Sequence, residues 1–491
     1  MQKRIFFVTL GCKVNQYETG AFMEMFRRYG FDKAEENESC DAVIINTCAV
    51  TSESERKSRQ IIRKMRKMNP KTLLAVTGCF AQNDPEAVSR LDGVDIICGT
   101  ARREDFVKEV VAALKKREIT EQEEEIHENV ESKHEPQYNP KRETVEDINT
   151  LHHKDAVHMR TILKKQEVFE EFHVVSRTER TRAFVKIQDG CNRYCSYCII
   201  PYLRGSIKSR ELKNILEEVT LLVADGYMEI VLTGIHISSY GLEKSDGMQL
   251  GELIAAVSKI EGIRRLRLGS LEPTIVTHEF IAYLKSCSDV ICPHFHLSLQ
   301  SGSAAVLRRM NRKYSPDAYR LAIHRIRQAF PDAALTTDII VGFPGETEDE
   351  FTQTTEFCKE MNFAKIHVFK FSPRRGTAAA SFDGQIDTNI KEERSKRLIS
   401  LSDEMAQSFH QRFIGKKVLV LVEKTRLDIN DYEGMTANYI KVHVRHAEAK
   451  SDFEHLNDMC DSIQAETLVG TERCVRIERA DSSGCFGIEI D

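Results

Sequence analysis

The sequence has no apolar run of membrane-spanning length, which argues against a transmembrane helix. It also has no excess of positive charge. Lys and Arg number 70 against 75 Asp and Glu, a net charge of −5 at pH 7, so any nucleic-acid contact must come from a local patch. The N-terminal apolar stretch is short and runs at once into Gly11-Cys12, which reads as a first strand and not as an export signal. At 491 residues the chain is too long for one hydrophobic core and is expected to form about three domains. Its 14 cysteines, without an export signal, point to the reducing cytoplasm.

Residues 190–198 read Gly-Cys-Asn-Arg-Tyr-Cys-Ser-Tyr-Cys, which places Cys191, Cys195 and Cys198 in the spacing C-x3-C-x2-C. Three thiolates on one Gly-led loop can hold three irons of a [4Fe-4S] cube and leave the fourth open. An open iron can chelate S-adenosylmethionine (SAM), and a reduced cluster can cleave it to a 5′-deoxyadenosyl radical. Structural zinc and an electron-transfer ferredoxin are the alternatives. Zinc prefers two close cysteine pairs. The only other close pair, Cys287 and Cys292, lacks the usual Gly-rich knuckle. A ferredoxin normally supplies a fourth local cysteine.

Residues 1–114 alternate strand and helix, with strands predicted at 5–10, 42–46, 73–77 and 94–97. Phe22, Met25, Phe26 and Tyr29 form the apolar stripe of a helix stopped by Gly30. The pattern implies a doubly wound parallel sheet. Residues from about 115 to 180 read as an acidic linker or insertion, interrupted by Pro136 and Pro140, with patchy helical periodicity over 148–172. Its histidines (His127, His134, His152, His153, His158, His173) show no ligand spacing. Six βα units follow, with strands at 183–187, 229–233, 265–269, 294–299, 334–341 and 365–371. They imply an open (β/α)6 barrel with its chemistry at the carboxyl ends of the strands. A connecting helix is predicted over 391–410, and from Phe413 a period-two pattern implies a small all-β barrel. The fold class is thus α/β with a C-terminal β-barrel.

Cys12, Cys48 and Cys79 each follow a strand of the first sheet. Parallel strands end at one edge, so these three should converge and favour a second three-thiolate cluster. Any one alone would be a buried small hydrophobe. Cys98 falls in a strand body and reads as core, as does Cys287; Cys40, Cys358, Cys460, Cys474 and Cys485 have no cluster spacing. His294 and His296 read as inward-facing residues of a barrel strand. The remaining SAM pocket is placed by strand ends. Tyr197 lies beside the last loop cysteine, Thr233 and Gly234 end the second strand, and Ser270 and Glu272 end the third. Gln300 and Ser301 end the fourth, and Gly342 and Gly345 end the fifth.

Gly11-Cys-Lys-Val-Asn-Gln-Tyr-Glu-Thr, Asn46-Thr-Cys-Ala-Val-Thr, the 190–201 loop and Asp338-Ile-Ile-Val-Gly-Phe-Pro-Gly-Glu-Thr resemble the radical-SAM methylthiotransferases. The resemblance covers residues 1–114 and 180–491. It implies a methylthiotransferase domain at 1–114, the linker or insertion at 115–180, a radical-SAM barrel at 181–411 and a TRAM-like barrel at 412–491. Residues 13–18 and 195–201 resemble the branch acting on tRNA N6-threonylcarbamoyladenosine. In that case Cys191, Cys195 and Cys198 hold the SAM-cleaving cluster, and Cys12, Cys48 and Cys79 hold an auxiliary [4Fe-4S] cluster carrying the sulfur. Two SAM molecules serve the reaction, one for the methyl group and one for the radical that attacks C2 of the base. The resemblance also implies tRNA and a flavodoxin- or ferredoxin-type reductant as partners, with a cytoplasmic monomer expected. The same chemistry on isopentenyladenosine or on a ribosomal-protein aspartate, and a non-catalytic iron–sulfur RNA-binding protein, are the alternatives. Two features stand apart: the long insertion, and an acidic last barrel with ten Lys and Arg against fifteen Asp and Glu over 413–491. Basic strips at Arg56, Lys57, Arg59, Arg63, Lys64, Arg66 and Lys67, and at Arg308, Arg309, Arg312 and Lys313, are candidates for RNA contact. A solvated helix face is the commoner origin of such strips.

Overall fold

The computed structural model describes residues 3–131, 157–159, 168–172, 181–245, 247–426, 431–445 and 468–490. His134, His152, His153, His173, Pro136, Pro140 and Cys460 lie outside these described residues. The chain divides into two compact units. One comprises residues 1–166, 170–174 and 202–204, and the other comprises 167–169, 175–201 and 205–491. Among the described residues no helix is long and apolar enough to cross a membrane.

The first unit is built on a six-stranded parallel sheet of β1 (Lys3–Thr9), β2 (Phe31–Lys33), β3 (Ala42–Thr47), β4 (Leu73–Gly78), β5 (Ile96–Cys98) and β6 (Val157–Met159), in the order β2-β1-β3-β4-β5-β6. β3 and β4 are buried along their whole length, which explains their unbroken apolar runs. The helix Lys13–Arg28 lays Phe22 and Phe26 on the sheet, where they meet Ile5, Ile44 and Phe106. The helix Ser52–Met68 begins where the Thr51 hydroxyl accepts from the Ser54 N–H at 3.0 Å. Its first turn carries Glu53 and Glu55 and its last Arg66 and Lys67, each complementing the helix dipole.

The helix Arg103–Glu131 extends well into the stretch read as linker, and Val157–Met159 pairs in parallel with β5. Patchy helical periodicity is predicted there, whereas the structure has an edge strand. A three-residue strand is too short to imprint a period of two on its sequence.

The second unit contains two packed β systems. The first comprises β7 (Arg182–Asp189), β8 (Lys208–Ser209), β9 (Glu229–Gly234), β10 (Arg265–Leu268), β11 (His294–His296), β12 (Ala334–Val341) and β13 (Lys365–Lys370). They form a sheet β10-β9-β7-β8 and a sheet β11-β12-β13, joined by the parallel bridges Leu266–Ile291 and Leu271–Leu297. Six parallel strands thus run β7-β9-β10-β11-β12-β13 in an open barrel, with β8 antiparallel on its first edge. The second system is a closed barrel of β14 (Lys417–Arg426), β15 (Asp431–Thr436), β16 (Lys441–Arg445), β17 (Glu472–Asp481) and β18 (Gly484–Glu489), ordered β14-β15-β16-β18-β17. Val420, Val422, Val442, Val444, Val475 and Ile477 fill it.

These two systems are joined through buried charge. Arg267, 1 % exposed, donates to Glu229 at 2.6 and 3.1 Å and to the Ala437 carbonyl at 2.9 Å. Arg265 donates to Glu472 at 2.6 Å and to the carbonyls of Met435 and Leu419 at 2.9 and 3.0 Å. Arg182 reaches Glu423 and lies 3.4 Å from Glu229. The Tyr439 ring stacks on His294 at 4.7 Å, with the guanidinium carbons of Arg182 and Arg267 at 5.3 and 4.7 Å from its centre. Burial alone would raise the Glu229 carboxyl, but Arg267, Arg182 and Arg265 outweigh it and hold the group below its ordinary 4.5.

Glu229→Gln leaves the buried guanidiniums of Arg265 and Arg267 and the half-buried one of Arg182 around a neutral amide, and is expected to lower unfolding stability by about 3–5 kcal/mol in urea titrations. Because the folded-state value is depressed, the contribution of Glu229 is present above pH 4.5 and is lost as pH falls through the folded value. The difference between parent and variant should therefore shrink in acid.

Candidate functional site

The loop after β7 carries the first cysteine trio. Gly190 has φ +71°, and a Cβ there would lie 1.9 Å from the Ser206 carbonyl oxygen, so only glycine fits. The turn is fixed from both sides. The Asp189 carboxylate accepts from the Gly190 N–H at 2.8 Å and from Lys186 at 2.6 Å. Gln188 donates to the carbonyls of Asp189 and Gly190 at 2.7 Å each, and its own oxygen accepts from the His236 N–H at 2.6 Å. Further along, the Ser196 N–H donates to Met310 at 3.0 Å and its hydroxyl to Arg309 at 2.8 Å. Cys191, Cys195 and Cys198 are thereby held on one short, braced loop.

Charged groups surround that loop. Arg312 donates to the Cys195 Sγ at 3.1 Å and to Tyr314 at 2.9 Å. Glu272, 2 % exposed, faces Arg193 at 2.6 Å, His236 at 3.1 Å and Arg312 at 3.9 Å. Burial would raise the Glu272 carboxyl, but His236, Arg312 and Arg193 keep it below the ordinary carboxylate range. Burial pushes the Cys198 thiol up to about 12, so without a metal it is protonated at neutral pH, and metal binding there must release a proton.

The other predicted pocket residues divide by placement. Tyr197 packs on the cluster of Phe343, Phe371, Val306 and Met310, beside the loop that contains Gly342 and Gly345. Thr233 is buried, and Gly234 pairs with Gln188 at the foot of the cysteine loop. Ser270 is exposed. Gln300 sits at φ +73° between β11 and β12, with its N–H on Asp338 at 2.8 Å. Ser301 is fully buried and its hydroxyl meets Thr354 at 3.0 Å, an intrachain contact. The Gly342 N–H donates to Glu346 at 2.6 Å and the Gly345 N–H to Gly384 at 2.8 Å, so both amides serve to shape their loop. His296 lies on β11 with Asp338 at 3.2 Å.

The second trio lies at the carboxyl edge of β1, β3 and β4, three adjacent strands. Cys12 caps the helix 13–28, Cys48 follows β3, and Cys79 opens the short helix after β4. A Cβ on Gly11 would lie 3.0 Å from the Cys48 Sγ, which shows how closely the Cys12 turn approaches Cys48. The Cys79 thiol, raised to about 12 by burial, is within electrostatic reach of Cys12 and Cys48. Cys98 is buried in β5, with its Sγ on the Ala101 carbonyl at 3.5 Å.

Donor chemistry and placement fit an iron–sulfur cube at each trio: three thiols and a braced turn, with Arg312 beside one trio and Arg204 within electrostatic reach of the other. Among the described residues no three His, Cys, Asp or Glu side chains form a single-ion metal site, so the case rests on the placement of the thiols.

Sequence reasoning missed the groups that brace these sites. Arg312 stands in a basic strip, yet it is turned inward, while Arg308 and Lys313 are exposed. Arg66 likewise bonds Asp95 and the Pro70 and Thr72 carbonyls at 2.9, 2.8 and 3.0 Å. The i, i+4 and i, i+1 spacing of arginines does not reveal which one points inward.

Comparison with known proteins gives a consistent result. Residues 185–358 match the model of the Radical SAM superfamily, and residues 4–99 match Uncharacterized protein family UPF0004. The chain is 38 % identical to the threonylcarbamoyladenosine tRNA methylthiotransferase MtaB of Bacillus subtilis, over 89 % of each chain. It is 34 % identical to the protein of the same name from Aquifex aeolicus, over 89 % of this chain and 96 % of that one. It is 33 % identical to the tRNA-2-methylthio-N(6)-dimethylallyladenosine synthase of Clostridium tetani, over 89 % of each. Among solved structures, the radical S-adenosylmethionine methyltransferase TsrM of Kitasatospora setae aligns with a TM-score of 0.53 at 14 % identity over 77 % of each chain, a likeness of fold.

Gly190→Ala and Gly205→Ala make a matched pair, since both positions have φ above +70° but only the first has backbone within 4 Å of the added carbon. Gly205→Ala should cost about 1 kcal/mol of strain, and Gly190→Ala at least 2–3 kcal/mol more in thermal melts. Only Gly190→Ala should also lower the iron bound after reconstitution.

Proposed function

Because the chain belongs to the radical-SAM tRNA methylthiotransferases, we propose that it adds a methylthio group to C2 of N6-threonylcarbamoyladenosine beside the anticodon, using two SAM molecules and two [4Fe-4S] clusters. The observation that carries the two-cluster reading is the second cysteine trio at the edge of β1, β3 and β4, since generating a radical requires only the trio at 191–198. The choice of modified base rests on threonylcarbamoyladenosine relatives at 38, 36 and 34 % identity.

When bound, a reduced cube at Cys191, Cys195 and Cys198 supplies reductive cleavage of SAM, and one at Cys12, Cys48 and Cys79 supplies the sulfur to be transferred. The chain's own groups set the conditions. Glu272, held ionised by His236, Arg193 and Arg312, offers a fixed carboxylate to the SAM ribose or amino group. Tyr197, with Phe343 and Phe371, forms an apolar wall suited to adenine. Gln188 and Asp189 hold the cysteine loop at its root.

RNA contact needs a local patch on this acidic protein. The C-terminal barrel has a groove of about 370 Å³ in which His443 stacks on Phe486 at 5.1 Å and Arg479 lies 3.8 Å from the same ring. A base can stack on such a platform without a strongly cationic surface. The exposed Arg63, Lys64 and Lys67 on the helix 52–68 are candidates for phosphate contact. A flavodoxin- or ferredoxin-type protein supplies the electron.

A strain lacking the gene should lose 2-methylthio-N6-threonylcarbamoyladenosine and accumulate the unthiolated nucleoside, read by nucleoside mass spectrometry. An accumulation of isopentenyladenosine would replace the substrate, and an unchanged profile would defeat the proposal. With purified enzyme, Cys195→Ala should abolish formation of 5′-deoxyadenosine. Cys48→Ala should retain part of it and give no thiolated product; normal thiolation by that variant would dismiss the second cluster.

A further inference from the structure

A polar network within the first unit is organised on the second cysteine trio. Asn15, 1 % exposed, donates through Nδ2 to the Leu10 carbonyl at 2.8 Å and to the Thr47 carbonyl at 3.0 Å. Leu10 leads into the Cys12 turn, and Thr47 immediately precedes Cys48. One amide therefore ties together the two backbone segments that carry these cysteines. With both N–H bonds used in this way, the Asn15 Oδ1 faces the opposite side, where the Cys12 Sγ lies at 3.8 Å.

Arg204 is the donor on that opposite side. Its side chain is completely buried, and it donates to the Asn15 Oδ1 at 3.1 Å and to Glu18 at 2.8 and 3.2 Å. Glu18, 2 % exposed, also accepts from Arg103 at 2.6 Å, and Arg103 pairs with Glu170. The Arg204 segment is fixed by the Thr100 hydroxyl, which donates to the Leu203 carbonyl at 2.6 Å. Arg204 is also within electrostatic reach of both Cys48 and Cys79. A buried guanidinium needs a reason beyond stability, because a well-packed apolar substitute is often as stable.

We propose that Arg204 is a positioning residue of the Cys12–Cys48–Cys79 site. It fixes the Asn15 amide in the orientation that joins the two cysteine loops, and it places one buried positive charge beside the ligands, modulated by Glu18. This rests on the reading of these cysteines as cluster ligands. A [4Fe-4S]2+ core with three thiolates carries charge −1, and one added electron makes it −2. A nearby cation stabilises the second state more than the first, and in a low-dielectric interior the effect is large. Arg204 should therefore raise the reduction potential of this cluster, and Glu18 should lower it.

The test uses the full chain with Cys191, Cys195 and Cys198 replaced by Ala, so that the remaining iron reports the second trio, titrated with dithionite and followed by electron paramagnetic resonance. Arg204→Gln keeps hydrogen-bonding capacity and removes the charge. It should cut the reduced-to-oxidised ratio at fixed potential at least tenfold, equivalent to about 59 mV for one electron. Arg204→Lys should recover most of the shift, whereas Glu18→Gln should move the ratio the other way. A bracing role alone would change iron content without these opposed shifts. Parental potentials in Arg204→Gln and Glu18→Gln, or shifts of the same sign, overturn the proposal; if Arg204→Gln loses its iron, the Glu18→Gln shift decides. A triple-alanine parent that binds no iron and sulfide overturns the cluster reading itself.

Discussion

Parallel strands end at the same edge of their sheet, and the whole candidate chemistry depends on that constraint. Cys12, Cys48 and Cys79 are separated by 36 and 31 positions, yet β1, β3 and β4 are neighbours in register. Each strand stops one to three residues before its cysteine, so all three cysteines stand at one sheet edge. The same rule places the cysteine loop, Glu272 and the Gly342–Glu346 loop at the carboxyl ends of barrel strands. The helices and cores, from the Phe22–Phe26 stripe to the valine-filled C-terminal barrel, keep those edges in place.

Electrostatics then settles what such edges can hold. Isolated carboxylates and guanidiniums are costly in a protein interior, so they occur here in groups. Glu272 lies among His236, Arg193 and Arg312, and Glu18 lies between Arg103 and Arg204. Each group adjoins a cysteine trio and presents cationic donors beside its thiols. Burial raises the Cys79 and Cys198 thiols to about 12, and Arg204 and Arg312 counter it only in part.

What was legible from the amino acids follows from how local the signal is. Strands 42–47 and 73–78 announce themselves through apolar runs. That Cys12, Cys48 and Cys79 stand at strand ends was legible because chain position alone puts them there. Arg204 was not, since its partners Glu18 and Asn15 stand 186 and 189 residues away. Ser301 resembles a ribose ligand by position, but its hydroxyl is taken by Thr354, and no spacing rule encodes a rotamer choice. The strand 157–159 was hidden for a different reason: three residues on a sheet edge depend on the neighbouring β5 for their conformation.

The joint between the open barrel and the closed one has a consequence for sequence drift. Arg265 and Arg267 address the closed barrel chiefly through main-chain carbonyls, those of Leu419, Met435 and Ala437. Carbonyl oxygens are the same whatever side chains surround them. Apart from Glu472 and Glu423, which pair with Arg265 and Arg182, the outer face of that barrel can thus exchange its charges and still seat on the same two arginines. A module held mainly by its backbone is free to retune much of its surface without renegotiating its attachment.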